Sequence, residues 1–484
     1  MPTKTVRELE TIVAQFGAAA SRKMGQWLQA RDPEAFIGVE QAVHALGRQV
    51  ADAITTLVLQ HVLDDPGWVA ACMAAATATG RFRANCRRET TVTFLGGNTH
   101  RVRTPYMVAV KRHGRKKPAP GLFPCLAALG IFERCSPALC SEVCRQDTES
   151  CSFRDALATL ARRGIKLEYK RTLSLVRRFG EHAVAQRNAW AKLAQSAGHQ
   201  HGPLAGRSVL VCVDGGRLRE REAKPGRRTK RGHHRYHAPW REPRQLVISV
   251  LDDAGRPDPR FAPIYDGTLG DADELFLLLW AYLQALGGRK AQRIIFVADG
   301  AEWIWRRTWL LRIALGMPRK RFIDIVDWPH ALGMLSTIAK HCTGWSERTQ
   351  QRWVKRLHEP LYNGDVDTVV AEIEKLARGR RAKKVQAHLD YFRRNAERMQ
   401  YRSFRARRLP IGSGAVESAI RRVINLRLKS PGKFWLHHSA EAVLHLRSYL
   451  KAGHWDQLAV RTLRGIVPWN DVSNEFLPNL RKAA

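Results

Sequence analysis

Between residues 208 and 328 the chain repeats one pattern: a short, dense apolar run that stops at an acid. SVLVCVD (208–214) ends in Asp214 and is followed by Gly215-Gly216; RIIFVADG (293–300) carries Asp299, and RFIDIVDW (321–328) carries Asp327. Apolar runs of this length without polar alternation read as strands buried on both faces, which requires helices to cover them. Those helices are legible in DADELFLLLWAYLQALGG (271–288), in residues 301–315 and from about Pro329. QLVISVL (245–251) and FAPIYDG (261–267) add two strands joined by the turn-rich DDAGRPDP. The expectation is an α/β core on a mixed five-stranded sheet. Acids at strand ends of such a sheet lie where sites are built.

Charge narrows the partner. Lys and Arg number 81 against 44 Asp and Glu, a net charge of +37. A hydrophobic fraction of 44% argues for a folded chain. A basic excess spread along the whole sequence favours nucleic acid, because neutralised phosphates release counterions, and disfavours a membrane surface. The longest apolar stretch, near Leu275–Leu286, is too short to span a bilayer, and MPTKTVRELETIV lacks a signal-peptide layout. A cytoplasmic, nucleoid-associated protein with reduced thiols is expected. Cys135, Cys140, Cys144 and Cys151 form no CxxC pair, so buried structural cysteines are expected there and no zinc.

The N-terminal region carries helical spacing over Val6–Phe16, Pro33–Ala53 and Ile54–Leu63; the segment from Arg81 to Lys117 alternates as strands do and ends in the loop-like HGRKKPAPG. SFRDALATLARRG and LEYKRTLSLVRRFG then read as two short helices around a turn at Gly164. The second turns Tyr169, Leu173, Val176 and Gly180 inward, and Lys170, Arg171, Ser174, Arg177 and Arg178 outward. That is the layout of a helix-turn-helix. Two further segments are strongly basic: Arg217–Arg244 holds eleven Lys/Arg against three Glu, and Arg378–Arg408 twelve against Asp390 and Glu397. Arg228, Lys230 and Arg231 of the first, next to the histidines of RGHHRYH (231–237), are assigned to DNA contact.

The order strand, strand, strand, helix, strand, helix, strand, helix is that of an RNase H-like domain. In IGSGAVESAIRRVINLRLK (411–429), Glu417 shares a helical face with Ile420, Ile424 and Leu428, which would bury a carboxylate. A divalent cation shared with Asp214 and Asp299 compensates that burial. Three carboxylates make a hard oxygen site for two Mg²⁺ ions, with Mn²⁺ as substitute.

VCVDGG, FVADGAEWIW, DWPH (327–330) and GSGAVESA together resemble the DDE transposases of bacterial insertion sequences, of the Kra type, over roughly residues 150–465. The resemblance implies an RNase H-like catalytic domain with the acidic triad Asp214, Asp299 and Glu417, cleaving and joining double-stranded DNA at the element's terminal inverted repeats and at the target. It implies at least a dimer on DNA and a last helix packed across the first and fourth strands. Asp327 and His330 resemble the acid-x-x-His signature of mutator-like transposases, which carry an all-helical insertion before the final Glu, and are expected to support the active site. The resulting organisation is a helical region (1–80), a small β-rich basic region (81–135) and the helix-turn-helix region (136–200). The first part of the core (205–335), the basic all-α insertion (336–409), the final core helix with C-terminal helices (410–465) and a tail (466–484) complete it. A nuclease or domesticated recombination factor on the same fold, and a catalytically silent DNA-binding regulator, are the alternative readings.

Overall fold

A computed structural model describes residues 3–110, 120–198, 201–470, 477 and 480. The chain divides into two units, residues 1–186 with 455–473 and residues 187–454 with 474–484.

The first unit opens with α1 (Thr3–Trp27), α2 (Pro33–Leu63) and α3 (Pro66–Ala78), then the antiparallel ribbon β1 (Phe82–Thr93) and β2 (Thr99–Ala109). The spacing suggested a break near Ala53; α2 runs through it, since neither Gly nor Pro interrupts the helix there. Buried Asp52 on α2 accepts the Gly96 and Asn98 backbone N–H groups at 3.0 Å each and thereby holds the β1–β2 turn. Most of HGRKKPAPG lies outside the described residues. Next come α4 (Pro124–Ala128), α5 (Pro137–Glu149), α6 (Phe153–Arg162) and α7 (Tyr169–Ser196), and a C-terminal helix (Trp455–Ile466) belongs to this unit. Cys135, Cys140 and Cys144 are buried, and Cys151 is exposed. Burial pushes the Cys135 thiol up to about 11.

The α6–turn–α7 pair is present, with Gly164 in the left-handed region at φ +86°. The buried face of α7 differs from expectation, however: Thr172, Leu175, Val176 and Phe179 are buried, whereas Tyr169 and Leu173 are 50% and 45% exposed. The helix is 28 residues long, and a small rotation of its buried stripe moves part of the basic set inward. Arg171 Nη2 donates to the Glu133 and Arg134 carbonyls at 3.2 and 3.1 Å. Arg178 pairs with Glu133 and lies over the Phe132 ring. Lys170 and Arg177 remain exposed, and Ser174 is half-buried.

In the second unit the five strands fall close to their expected places: β3 (Ser208–Gly215), β8 (Arg244–Leu251), β9 (Ile264–Thr268), β10 (Arg293–Ala298) and β11 (Phe322–Val326). They form one mixed sheet in the order β11-β10-β3-β8-β9. β3, β10 and β11 run parallel, while β8 and β9 are antiparallel to their neighbours. The basic excursion between β3 and β8 is a hairpin arm. Its rungs are β4 (Leu218–Arg219) with β7 (Trp240–Arg241) and β5 (Glu222–Ala223) with β6 (Tyr236–His237), and Arg228, Lys230 and Arg231 are exposed at its tip. α8 (Ala272–Ala285) and α9 (Glu302–Ala314) precede β10 and β11. After β11 the chain is helical: α10 (Trp328–Lys340), α11 (Glu347–Tyr362), α12 (Val366–Glu374), α13 (Ala382–Asn395) and α14 (Tyr401–Ala406). α15 (Gly414–Ile420), a π turn at Arg421–Asn425 and α16 (His437–Ala452) follow. α15 packs mainly over β3 and β8, the first and second strands of the core, where the first and fourth were expected.

Within the second unit, which takes the end of α7 from Arg187 onward, a buried ionic network ties that end to β9 and α16. Arg187 donates to Asp266 Oδ1 at 3.3 Å and to Glu441 Oε1 at 2.6 Å, and Asp266 also accepts the Tyr282 hydroxyl at 2.7 Å. His445 Nδ1 lies 3.0 Å from the same carboxylate. Burial pushes the Asp266 carboxyl up, but His445 and Arg187 outweigh it and hold it at about 2. Breaking such a set leaves uncompensated buried charge, so Arg187→Ala is expected to lower unfolding stability by about 3–5 kcal/mol. A urea midpoint within error of wild type would contradict this account.

Candidate active site

Strand register brings three acids to one level. Cys212 pairs with Val297, and Ala298 pairs with Val326. Continuing each pairing sets Asp214 opposite Asp299 and Asp299 opposite Asp327, across three neighbouring strands roughly 5 Å apart. All three lie at the carboxyl ends of parallel strands, because β3, β10 and β11 share a direction.

Asp327 is the most constrained of them. Its side chain is 0% exposed. Oδ1 accepts the Ser413 N–H at 2.7 Å; Oδ2 accepts the His330 N–H at 3.0 Å and lies 3.2 Å from His330 Nδ1. The Asp327 N–H itself donates to the Ala298 carbonyl at 2.8 Å. One carboxylate therefore caps α10, orients the His330 ring and pins the Gly412-Ser413-Gly414 segment that leads into α15. Ser413 Oγ reaches Glu417 Oε1 at 3.4 Å, one helical turn on. A ligand atom from each of Asp327, His330 and Glu417 lies within 4.8 Å of the other two, a grouping with room for a cation.

Asp214 and Asp299 stand beside this group, not within it. Burial, together with the negative charges of Asp299 and Glu417, pushes the Asp214 carboxyl up to about 6, against the Gly215 N–H and His330. The hydrogen bond to Asp327 raises the His330 pKa against the effect of burial, and Asp299 and Asp214 add to it. These shifts place Asp214, Asp299, His330 and Glu417 in one electrostatic neighbourhood. Asp214 Oδ1 accepts the Gly215 N–H at 2.7 Å, and Asp299 Oδ1 accepts the Ala301 N–H at 3.0 Å. Among the described residues the second oxygen of each has no protein donor.

One expectation needs correction. Glu417 does not head the buried face of its helix: it is exposed, and Val416, Ala419 and Ile420 are the buried residues. The helix begins at Gly414 and passes into the π turn, so its phase differs from that of a single helix through Leu428. The cost of burying charge falls on Asp327 and Asp214 instead.

Two participants carry no local signal in the sequence. Tyr391 of α13 lies against Gly300, where an added Cβ would sit 1.9 Å from the ring, so only glycine fits directly after Asp299. Tyr401 of α14 donates to the Val326 carbonyl at 3.1 Å, just before Asp327. Both come from the helical stretch after β11, a placement that no spacing rule anticipates. The chain matches no protein-family model, no curated protein and no solved structure. Among the described residues no helix is long and apolar enough to cross a membrane.

Because folding raises the Asp214 pKa, the fold favours its protonated form. The resulting penalty is complete above about pH 6 and fades as pH falls toward the unfolded value near 4. Asp214→Asn is therefore expected to raise metal-free stability at pH 8 by about 1–3 kcal/mol, a gain that disappears near pH 4. Thermal unfolding across that range checks the sign; an equal gain at both ends would show that charge is not its origin.

Proposed function

We propose that this chain is a DNA transposase that cleaves and joins strands at the ends of an insertion element, on an RNase H-like core. The observation that carries the reading is the alignment of Asp214 and Asp299 on the adjacent parallel strands β3 and β10, with Glu417 delivered beside them by the Asp327–Ser413 tether. The sheet order β11-β10-β3-β8-β9 and the helical stretch between Asp327 and Glu417 support it.

The chemistry of three carboxylates suits a hard divalent cation, although the ligand atoms that already lie within 4.8 Å of one another are those of Asp327, His330 and Glu417. Asp214, Asp299 and Glu417 are mutually repelling carboxylates, and positive charge would relieve the unfavourable ionisation of Asp214. Mg²⁺ held by these three, as a pair of ions or with Mn²⁺ in its place, would supply an activated oxygen nucleophile and neutralise charge at the scissile phosphate. Asp327 is a positioning residue: both of its oxygens are committed to protein donors. It holds His330 by Nδ1, which leaves Nε2 for the substrate, and the raised pKa favours an imidazolium that can contact a phosphate oxygen.

DNA recognition is assigned to the α6–α7 pair, read as a helix-turn-helix, and to the hairpin arm. Arg171 and Arg178 are engaged with the Phe132–Cys135 segment, so Lys170, Ser174 and Arg177, the last in an exposed 3.6 Å pair with Glu181, are the residues assigned to phosphates. Arg228, Lys230 and Arg231 act from the arm's tip. Bringing two element ends together calls for at least a dimer on DNA.

Glu417→Gln is expected to reduce Mg²⁺-dependent cleavage of the element's ends by about 10³-fold or more, with duplex affinity and melting temperature near wild type. Near-normal cleavage by this variant would overturn the assignment. A second assay with a pre-cut 3′-hydroxyl end separates transposase from nuclease: joined product supports the former, and cleavage without joining the latter.

A further inference from the structure

At the base of the hairpin arm, arginines and aromatic rings alternate on the surface. The Arg219 guanidinium lies 4.9 Å from the centre of the Trp240 ring and 5.9 Å from that of Phe434. Phe434 packs on Tyr236 at 5.5 Å, and Arg221 lies 4.4 Å from the Tyr236 ring. Trp240 and Tyr236 are nonetheless 52% and 41% exposed. The ladder rests on a rigid base. β4 pairs with β7 in direct continuation of β3, and the backbones of Arg219 and Trp435 are joined by a 3.0 Å hydrogen bond from the Trp435 N–H. An open cavity of about 670 Å³ adjoins it, lined by Arg219, Trp240, Lys429, Ser430 and Lys433 among others.

A core-packing role does not explain this arrangement, because half of the Trp240 surface faces water beside an open cavity that it shares with Leu428, Pro431 and two lysines. Arg219 occupies one side of the indole, which fixes its orientation and leaves surface for a second planar partner. Flat rings stacked with guanidinium groups, beside a cavity edged by lysines, match a nucleobase with its phosphate better than an aliphatic ligand or a protein side chain. Base stacking on exposed aromatics tolerates any sequence, and the neighbouring cations follow the backbone.

We propose that Trp240, braced by Arg219, is a stacking platform for an unpaired nucleotide of a DNA strand, with Lys429 on its phosphate. The Arg219–Trp240 pair lies five residues along the strand direction from the Asp214–Gln245 pair, roughly 17 Å at about 3.4 Å per residue. The transposase reading supplies a source of unpaired nucleotides, the strand opened at the cleavage site, and the platform deepens that reading. Its binding property does not require catalysis.

The test uses the full chain without metal at one fixed salt concentration. It compares oligo-dT of about 12 nucleotides with an abasic oligomer carrying the same number of phosphates. The wild type is expected to prefer oligo-dT by about tenfold or more. Trp240→Ala should abolish that preference while leaving affinity for the abasic strand within about twofold, and Trp240→Phe should retain most of it. Circular dichroism and the melting temperature of both variants establish that the arm's surroundings are folded. Equal wild-type affinity for the two strands, or an undiminished preference in Trp240→Ala, overturns the platform. Absent metal-dependent cleavage alongside a retained, Trp240-dependent preference would instead sink the transposase reading and leave the platform standing.

Discussion

The site depends on one buried carboxylate. Stripping water from Asp327 costs several kcal/mol unless donors replace it. The Ser413 and His330 backbone N–H groups and the His330 ring supply those contacts. Because these partners lie on α10 and on the segment before α15, satisfying the carboxylate also locates them. Glu417 stands 90 residues after Asp327 in the chain, yet the Ser413 tether sets it one helical turn from a strand end. A helix start held only by loop packing would leave Glu417 free to wander, and a constellation that binds charge has to be held to fractions of an ångström.

A second buried network does comparable work for the frame. Asp266 is wholly enclosed and receives Arg187, Tyr282 and His445, while Glu441 takes the other end of Arg187. Apolar residues of equal volume would often be as stable or more so. The polar set instead ties the edge strand β9 to α16 and to the end of α7 that starts at Arg187, since the Arg187 guanidinium bonds Asp266, the Gly267 carbonyl and Glu441 at once.

The net charge of +37 overstates what is available to a polyanion. Arg171 hydrogen-bonds to the carbonyls of Glu133 and Arg134, Arg187 is buried in its network, and Arg405 lies over the Tyr362 ring and donates to the Tyr362 carbonyl. Guanidinium groups serve both purposes because a planar fork with five donors satisfies carbonyls and carboxylates at once. What remains free is concentrated, and the hairpin arm is its clearest case: Arg227, Arg228, Lys230 and Arg231 are exposed together.

Sequence alone determined the elements of the core. Dense β-branched runs closed by Asp214, Asp299 and Asp327 can be strands buried on both faces and little else, and the helices between them follow from apolar spacing. Local pattern therefore located the strand ends to within two or three residues. It did not determine which face of a helix is buried when two phases are nearly equal in apolar content. That is why Leu173 emerged exposed with Thr172 buried, and why Glu417 left the apolar face once α15 gave way to the π turn. Nor did it show that register aligns Asp299 with both Asp214 and Asp327, that Ser413 anchors the last acid, or that Tyr391 closes over Gly300. Those facts depend on contacts between segments 28 to 91 residues apart, whose energies arise only when the chain is folded and water has been excluded.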